Sequence, residues 1–180
     1  LGNPLVIWTW PLFEGPRVWP DEPGCFGTVR RHDVHTGVDL YTYPGMPVLA
    51  VEPGRVVAVE DYTGPKAGSP WWRDTQAILI EGPSGVVCYG EVAPLKCITI
   101  GAEIKAGDCI ACVKTVLVRS KGRPTTMLHV ELYQPGARES VWWRLGEPRP
   151  STLRDPTDRL REAWERSTGM KVEYSGSGPF

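Results

Sequence analysis

The chain has 180 residues with 41% hydrophobic content, enough to bury one core of ordinary domain size. Its formal charge is -1, with acidic and basic residues mixed along the whole length, which excludes the basic stripe of a nucleic-acid binder and the acidic block of a solvating tail. No apolar run approaches the roughly 20 residues that span a bilayer, and the first residues lack the pattern of a secretion signal; with Leu1 in first position, localisation stays open.

In chain order, short β-branched runs are punctuated by 20 glycines and 18 prolines. That pattern predicts strands over 47–51, 54–60, 76–81, 85–89, 97–100, 109–118 and 127–133, separated by turn signals such as Glu52-Pro53-Gly54 and Gly82-Pro83-Ser84-Gly85. Strand follows strand without room for crossover helices, so the pairing is expected to be antiparallel. A long insertion from Asp61 to Thr75 carries Trp71-Trp72, which either cap the sheet or wall a groove. Val141-Trp142-Trp143 is open to the same two readings. One helix is predicted over 157–167, with Asp155 as N-cap, Pro156 in the first turn and Gly169 as the stop. The expectation is a single domain over 1–168 with a core at 26–160 and a flexible tail over 169–180.

Four of the five cysteines (Cys25, Cys88, Cys97, Cys109, Cys112) fall in apolar strand-like stretches, where cysteine serves as a small buried hydrophobe. No disulfide framework follows from an odd set, and Cys109-x-x-Cys112 reads as core strand, with no second pair at zinc-ribbon spacing.

The residues that carry chemistry are fewer. His35-Thr36-Gly37-Val38-Asp39 sets an imidazole and a carboxylate four residues apart around a glycine, so that a loop entering a strand can aim both at one point. Catalytic zinc takes three protein ligands from this chemistry and leaves a fourth position to water. The third candidate is His129: alternation along Thr126-Met127-Leu128-His129-Val130-Glu131-Leu132 puts Met127, His129 and Glu131 on one face. His32 is a reserve.

These motifs, together with Phe26-Gly27, Gly45-Met46-Pro47-Val48-Leu49-Ala50, Gly54-Arg55-Val56-Val57, Val87-Cys88-Tyr89-Gly90, the turn at Gly101 to Ile110 and Asp155-Pro156-Thr157, resemble in order the lysostaphin and LytM-type zinc peptidases. The resemblance covers about residues 26–160. It implies an all-β fold, a compact antiparallel β-sandwich or barrel-like domain with a short C-terminal helix. It also implies one Zn2+ on His35, Asp39 and His129, a peptide or peptidoglycan-like substrate, and an extracytoplasmic setting. The pattern is read here as one with both catalytic histidines replaced: the position after Tyr89-Gly90 is Glu91, and the position two before His129 is Met127. Three roles are open to Glu91: general base, fourth metal ligand, or bystander. Glu131 either orients His129 or faces solvent. Met127, Tyr89, Trp71 and Trp72 are expected along the substrate groove. Two functions follow: a zinc-dependent hydrolase of amide bonds with Glu91 as base, or an inactive zinc-binding module that recognises peptide or cell-wall ligands.

Overall fold

A computed structural model describes residues 6–14, 19–20, 23–122 and 125–172. Of the expected tail, 173–180 lie outside the described residues. Among the described residues nine strands form one antiparallel sheet: β1 (Val38–Tyr41), β2 (Pro47–Leu49), β3 (Gly54–Thr63), β4 (Thr75–Gly82), β5 (Gly85–Pro94), β6 (Glu103–Ile104), β7 (Cys109–Val113), β8 (Met127–Tyr133) and β9 (Leu153–Arg154). Among the described residues one α-helix, α1 (Thr157–Thr168), follows them, and a single 3-10 turn, Pro65–Ala67, lies between β3 and β4. The main path runs β1-β8-β5-β4-β3-β6, with β7 bridging β2 and β5 and with β9 beside β8.

The period-2 pattern explains the two layers. Ile78 and Ile80 of β4, Val87 and Tyr89 of β5, and Leu128, Val130 and Leu132 of β8 turn to one face and join the larger core cluster. Ala77, Leu79, Val86, Cys88 and Tyr133 turn the other way, into a smaller cluster with Leu153. Each aliphatic side chain buried in this way contributes about 1.5–3 kcal/mol. The larger cluster also takes in Trp8, Trp10 and Leu12, upstream of the expected core. Trp8 is held by a buried carboxylate: its Nε1 donates to Glu52 Oε2 at 3.0 Å, and Ser84 donates to the same carboxylate from both Oγ and N.

Several expectations are corrected. Residues 97–100 form turns rather than a strand, and Cys97 and Cys109 are exposed, because residues 95–108 return along the sheet margin through tight turns at Leu95 and Lys105. Cys109 to Val113 is a strand as read, but it ends five residues early. β1 lies outside the predicted strand runs, where the His35 loop was expected to enter a strand, and its four residues pair with β8. Tyr89, expected on the groove, is fully buried in the larger cluster, where its hydroxyl accepts the Val51 amide at 2.9 Å. At the helix start, Pro156 takes the cap position, and Asp155 Oδ1 accepts the Thr157 amide from one residue further out.

Candidate metal centre

The antiparallel register of β1 and β8 sets Asp39 directly opposite His129, so both side chains stand on the same face of the sheet within cross-strand reach. His35 arrives from the loop just before β1. That loop can lie against β8 only because residue 37 is glycine: a Cβ there would sit 2.4 Å from the Val130 carbonyl oxygen and 2.8 Å from the His129 ring. The spacing that suggested a ligand pair is therefore also a packing requirement.

Three ligand atoms converge. His35 Nε2 lies 3.1 Å from Asp39 Oδ1 and 3.1 Å from His129 Nδ1, and His129 Nδ1 lies 2.8 Å from Asp39 Oδ1. Ligands at about 2.0–2.1 Å around tetrahedral zinc stand roughly 3.3 Å apart, close to this triangle. All three residues are buried, and together they could hold a metal ion. The far side of each imidazole is fixed as such a site requires. His35 Nδ1 donates to the Cys25 carbonyl at 2.8 Å, and His129 Nε2 donates to Glu131 Oε1 at 3.0 Å.

The expectation of a centre with both catalytic histidines replaced is corrected by the cluster found here. The triad is intact, and both of its imidazoles, His35 and His129, are brought to Asp39. Glu91 and Met127 do occupy the positions named for them, and the ligand set is complete without them.

Electrostatically the cluster is built for positive charge. Burial would raise the Asp39 carboxyl, but hydrogen bonds from His129 and His35 and their charges hold it well below the usual range. Burial would lower His129, yet hydrogen bonds to Asp39 and Glu131 and their charges push it up to about 10. The open alternative for Glu131 is decided by burial. It is 1% exposed and accepts from Thr36 Oγ1 at 2.6 Å, Tyr62 OH at 3.2 Å and Tyr133 OH at 2.6 Å besides His129. Alternation alone could not show this, because both faces of β8 are covered. Tyr62, unforeseen from sequence, reaches Glu131 by lying over Gly90, where a Cβ would meet its ring at 2.7 Å.

Glu91 sits where β5 changes partner. Residues 86–90 pair with β8 and 92–94 pair with β7, and the chain turns between them at Glu91 with φ 64°, the one described non-glycine residue at positive φ. Such a conformation costs a side chain about 1–3 kcal/mol and clusters at functional sites. Its Oε2 is buried with no hydrogen-bond partner among the described residues. Burial, and next the charge of Asp39, push its carboxyl up to about 8, against the opposing pull of His129 and Arg30.

Of the remaining expected residues, His32 is exposed and outside the cluster, Met127 is half-buried on β8 opposite Tyr41, and Trp71 is 65% exposed. Trp71 and Trp72 pack edge to face, 5.9 Å apart, and border a cleft of about 450 Å³ with Leu117, Val118, Arg119 and Lys121. The Trp71 loop is pinned to that second wall through the Arg73 amide, which donates to the Val116 carbonyl at 2.7 Å.

No family model matches the sequence, and no curated protein matches it. Among solved structures the fold is similar to that of CbpA from L. salivarius REN, at 18% identity over 89% of this chain and 98% of that one, with a TM-score of 0.59. It is also similar to a putative peptidase M23 from Pseudomonas aeruginosa, at 13% identity over 88% of this chain, with a TM-score of 0.50; the match spans 52% of that longer protein. At these identities the likeness is one of fold: the chain is an antiparallel β domain of the architecture these two proteins share, and its His–Asp–His cluster is consistent with metal coordination.

Proposed function

We propose that the protein is a zinc-dependent hydrolase of amide bonds, with His35, Asp39 and His129 as ligands and Glu91 as general base. The observation that carries this reading is the placement of a strained glutamate with an unpartnered, buried carboxylate oxygen whose charge is felt by the triad. An orphaned buried polar atom is costly unless something binds there. Bound zinc supplies Lewis acidity and brings the pKa of a water ligand towards about 7. The chain's own part is to orient and to move a proton. Glu131 fixes the tautomer that presents His129 Nδ1, and the Cys25 carbonyl does the same for His35 Nε2. Glu91 receives a proton from the attacking water at its free oxygen and returns it to the departing amine. In the metal-free state its pKa of about 8 reflects burial and the Asp39 charge. A divalent cation held by His35, Asp39 and His129 would offset the Asp39 charge that helps to raise Glu91.

Peptides, including the cross-links of bacterial cell wall, are the substrate class, and an extracytoplasmic setting goes with them. This part rests on the motif resemblance and on the M23 designation of one structural neighbour. Trp71 and Trp72 would offer aromatic surface to such a substrate. The test is release of new amino termini from peptidoglycan and from glycine-rich peptides by zinc-loaded wild type beside Glu91→Gln. Cleavage by wild type and a loss of about 10²–10⁴-fold in the variant are expected; an inert wild type, or a fully active variant, contradicts the reading.

A further inference from the structure

Hydrolysis of an amide needs a group that meets the negative charge gathering on the carbonyl oxygen, and Met127, two residues before His129 on β8, is a thioether with no donor to offer. Arg30 has what is required. Its loop is tied to the centre by the backbone: the Arg30 amide donates to the Asp33 carbonyl at 2.8 Å, the His35 amide to Thr28 at 2.9 Å, and the Gly27 amide to His35 at 2.9 Å. Val34 is anchored in turn to the Trp143 carbonyl at 2.9 Å, which braces the loop from outside. From this position Arg30 Nη2 donates to Asp39 Oδ2 at 3.2 Å, whereas the imidazoles use Oδ1. The same nitrogen contacts the Pro23 carbonyl at 3.4 Å. Nε and Nη1 donate to nothing among the described residues, and the side chain is 39% exposed. A guanidinium anchored by one nitrogen beside a metal ligand, with further donors of a rigid planar fork left over, is preorganised to take an oxyanion.

We infer that Arg30 is the anion-binding arm of the centre, donating to the carbonyl oxygen of the scissile amide as it becomes negatively charged. This rests on the hydrolase reading above. The water oxygen bonds to the carbonyl carbon, the carbonyl π electrons move to the oxygen facing Arg30, and the water proton passes to Glu91. The electrons then return, the carbon–nitrogen bond breaks, and Glu91 gives its proton to the amine, leaving a carboxylic acid and a free amino terminus.

The experiment uses zinc-loaded wild type, Arg30→Lys and Arg30→Ala, with metal content measured for each and inorganic phosphate titrated by calorimetry as an oxyanion probe. One zinc per chain in all three is expected. Phosphate affinity should fall about 10–100-fold in Arg30→Ala and by less in Arg30→Lys, as for loss of a charge-assisted pair. On a cleaved peptide kcat should fall about 10²–10³-fold with KM nearly unchanged. Equal phosphate affinity in wild type and Arg30→Ala overturns the inference, as does a loss of zinc in Arg30→Ala, which would make the residue a buttress of Asp39. A rise in KM confined to peptides with a free C-terminal carboxylate overturns the carbonyl role. An inert wild type that still needs Arg30 to hold phosphate supports the anion site and overturns only the hydrolase reading.

Discussion

Two glutamates inside this protein meet opposite fates. Glu52, at the turn between β2 and β3, is 2% exposed and has donors on both oxygens: Trp8 Nε1 and Ser84 Oγ on one, the Ser84 amide on the other. Glu91, at the partner switch of β5, holds a positive φ and keeps a buried oxygen that no described residue satisfies. A buried carboxylate costs free energy unless it is paired or hydrogen-bonded. The first has been closed into a knot that ties the N-terminal segment to the sheet; the second has been left open next to a ligand triad. The difference separates a carboxylate that holds structure from one available for chemistry.

Exchanging each for glutamine sharpens that contrast most. Glu91→Gln should cost about 10²–10⁴-fold in hydrolysis while zinc content and melting temperature hold, whereas Glu52→Gln should lose about 1–3 kcal/mol of stability and keep its turnover. Urea melts and rates on the same preparations would show it, and a pair of variants that fail in the same way breaks the comparison. Next in size is Glu131→Gln. The amide cannot replace a carboxylate that accepts from His129, Thr36, Tyr62 and Tyr133 together, so zinc affinity should fall about 10–100-fold by competition with a chelator.

A pH series on metal-free protein probes Glu91 itself. Its folded pKa, pushed up to about 8 by burial and the Asp39 charge, lies above the ordinary carboxylate value of 4.5. The neutral acid is thus the form the fold favours, and the stability it contributes is present below pH 4.5 and lost as pH rises through about 8. Wild type should therefore lose melting temperature relative to Glu91→Gln between pH 5 and 8; parallel curves would contradict this. The smallest expected effect is backbone strain. Glu91→Gly removes the penalty of φ 64°, and metal-loaded stability should rise by about 1 kcal/mol even as activity is lost.

Much of the centre was legible because its residues sit on local patterns. The His35–Asp39 spacing, the alternation that turns His129 and Glu131 together, and most strand positions follow from period and turn chemistry. What escaped depends on contacts between distant segments. Alternation says which side a residue faces and not what covers that side, so Glu131 could be read as solvent-facing and Tyr89 as groove-lining, although both are buried. Arg30 reaches Asp39 through a folded-back loop with no periodicity, and Trp8 meets Glu52 across 44 positions. Cys97 and Cys109 lie in or beside apolar runs but at the sheet margin, where composition misleads.

One cation gripped by two imidazoles and a carboxylate is the heart of the centre, and zinc titration into metal-free protein measures it directly. Such a centre predicts one equivalent bound by wild type, with binding abolished in His129→Ala while the far-ultraviolet circular dichroism of the sheet is retained. Absence of binding in wild type, or an undiminished equivalent in the variant, would contradict it.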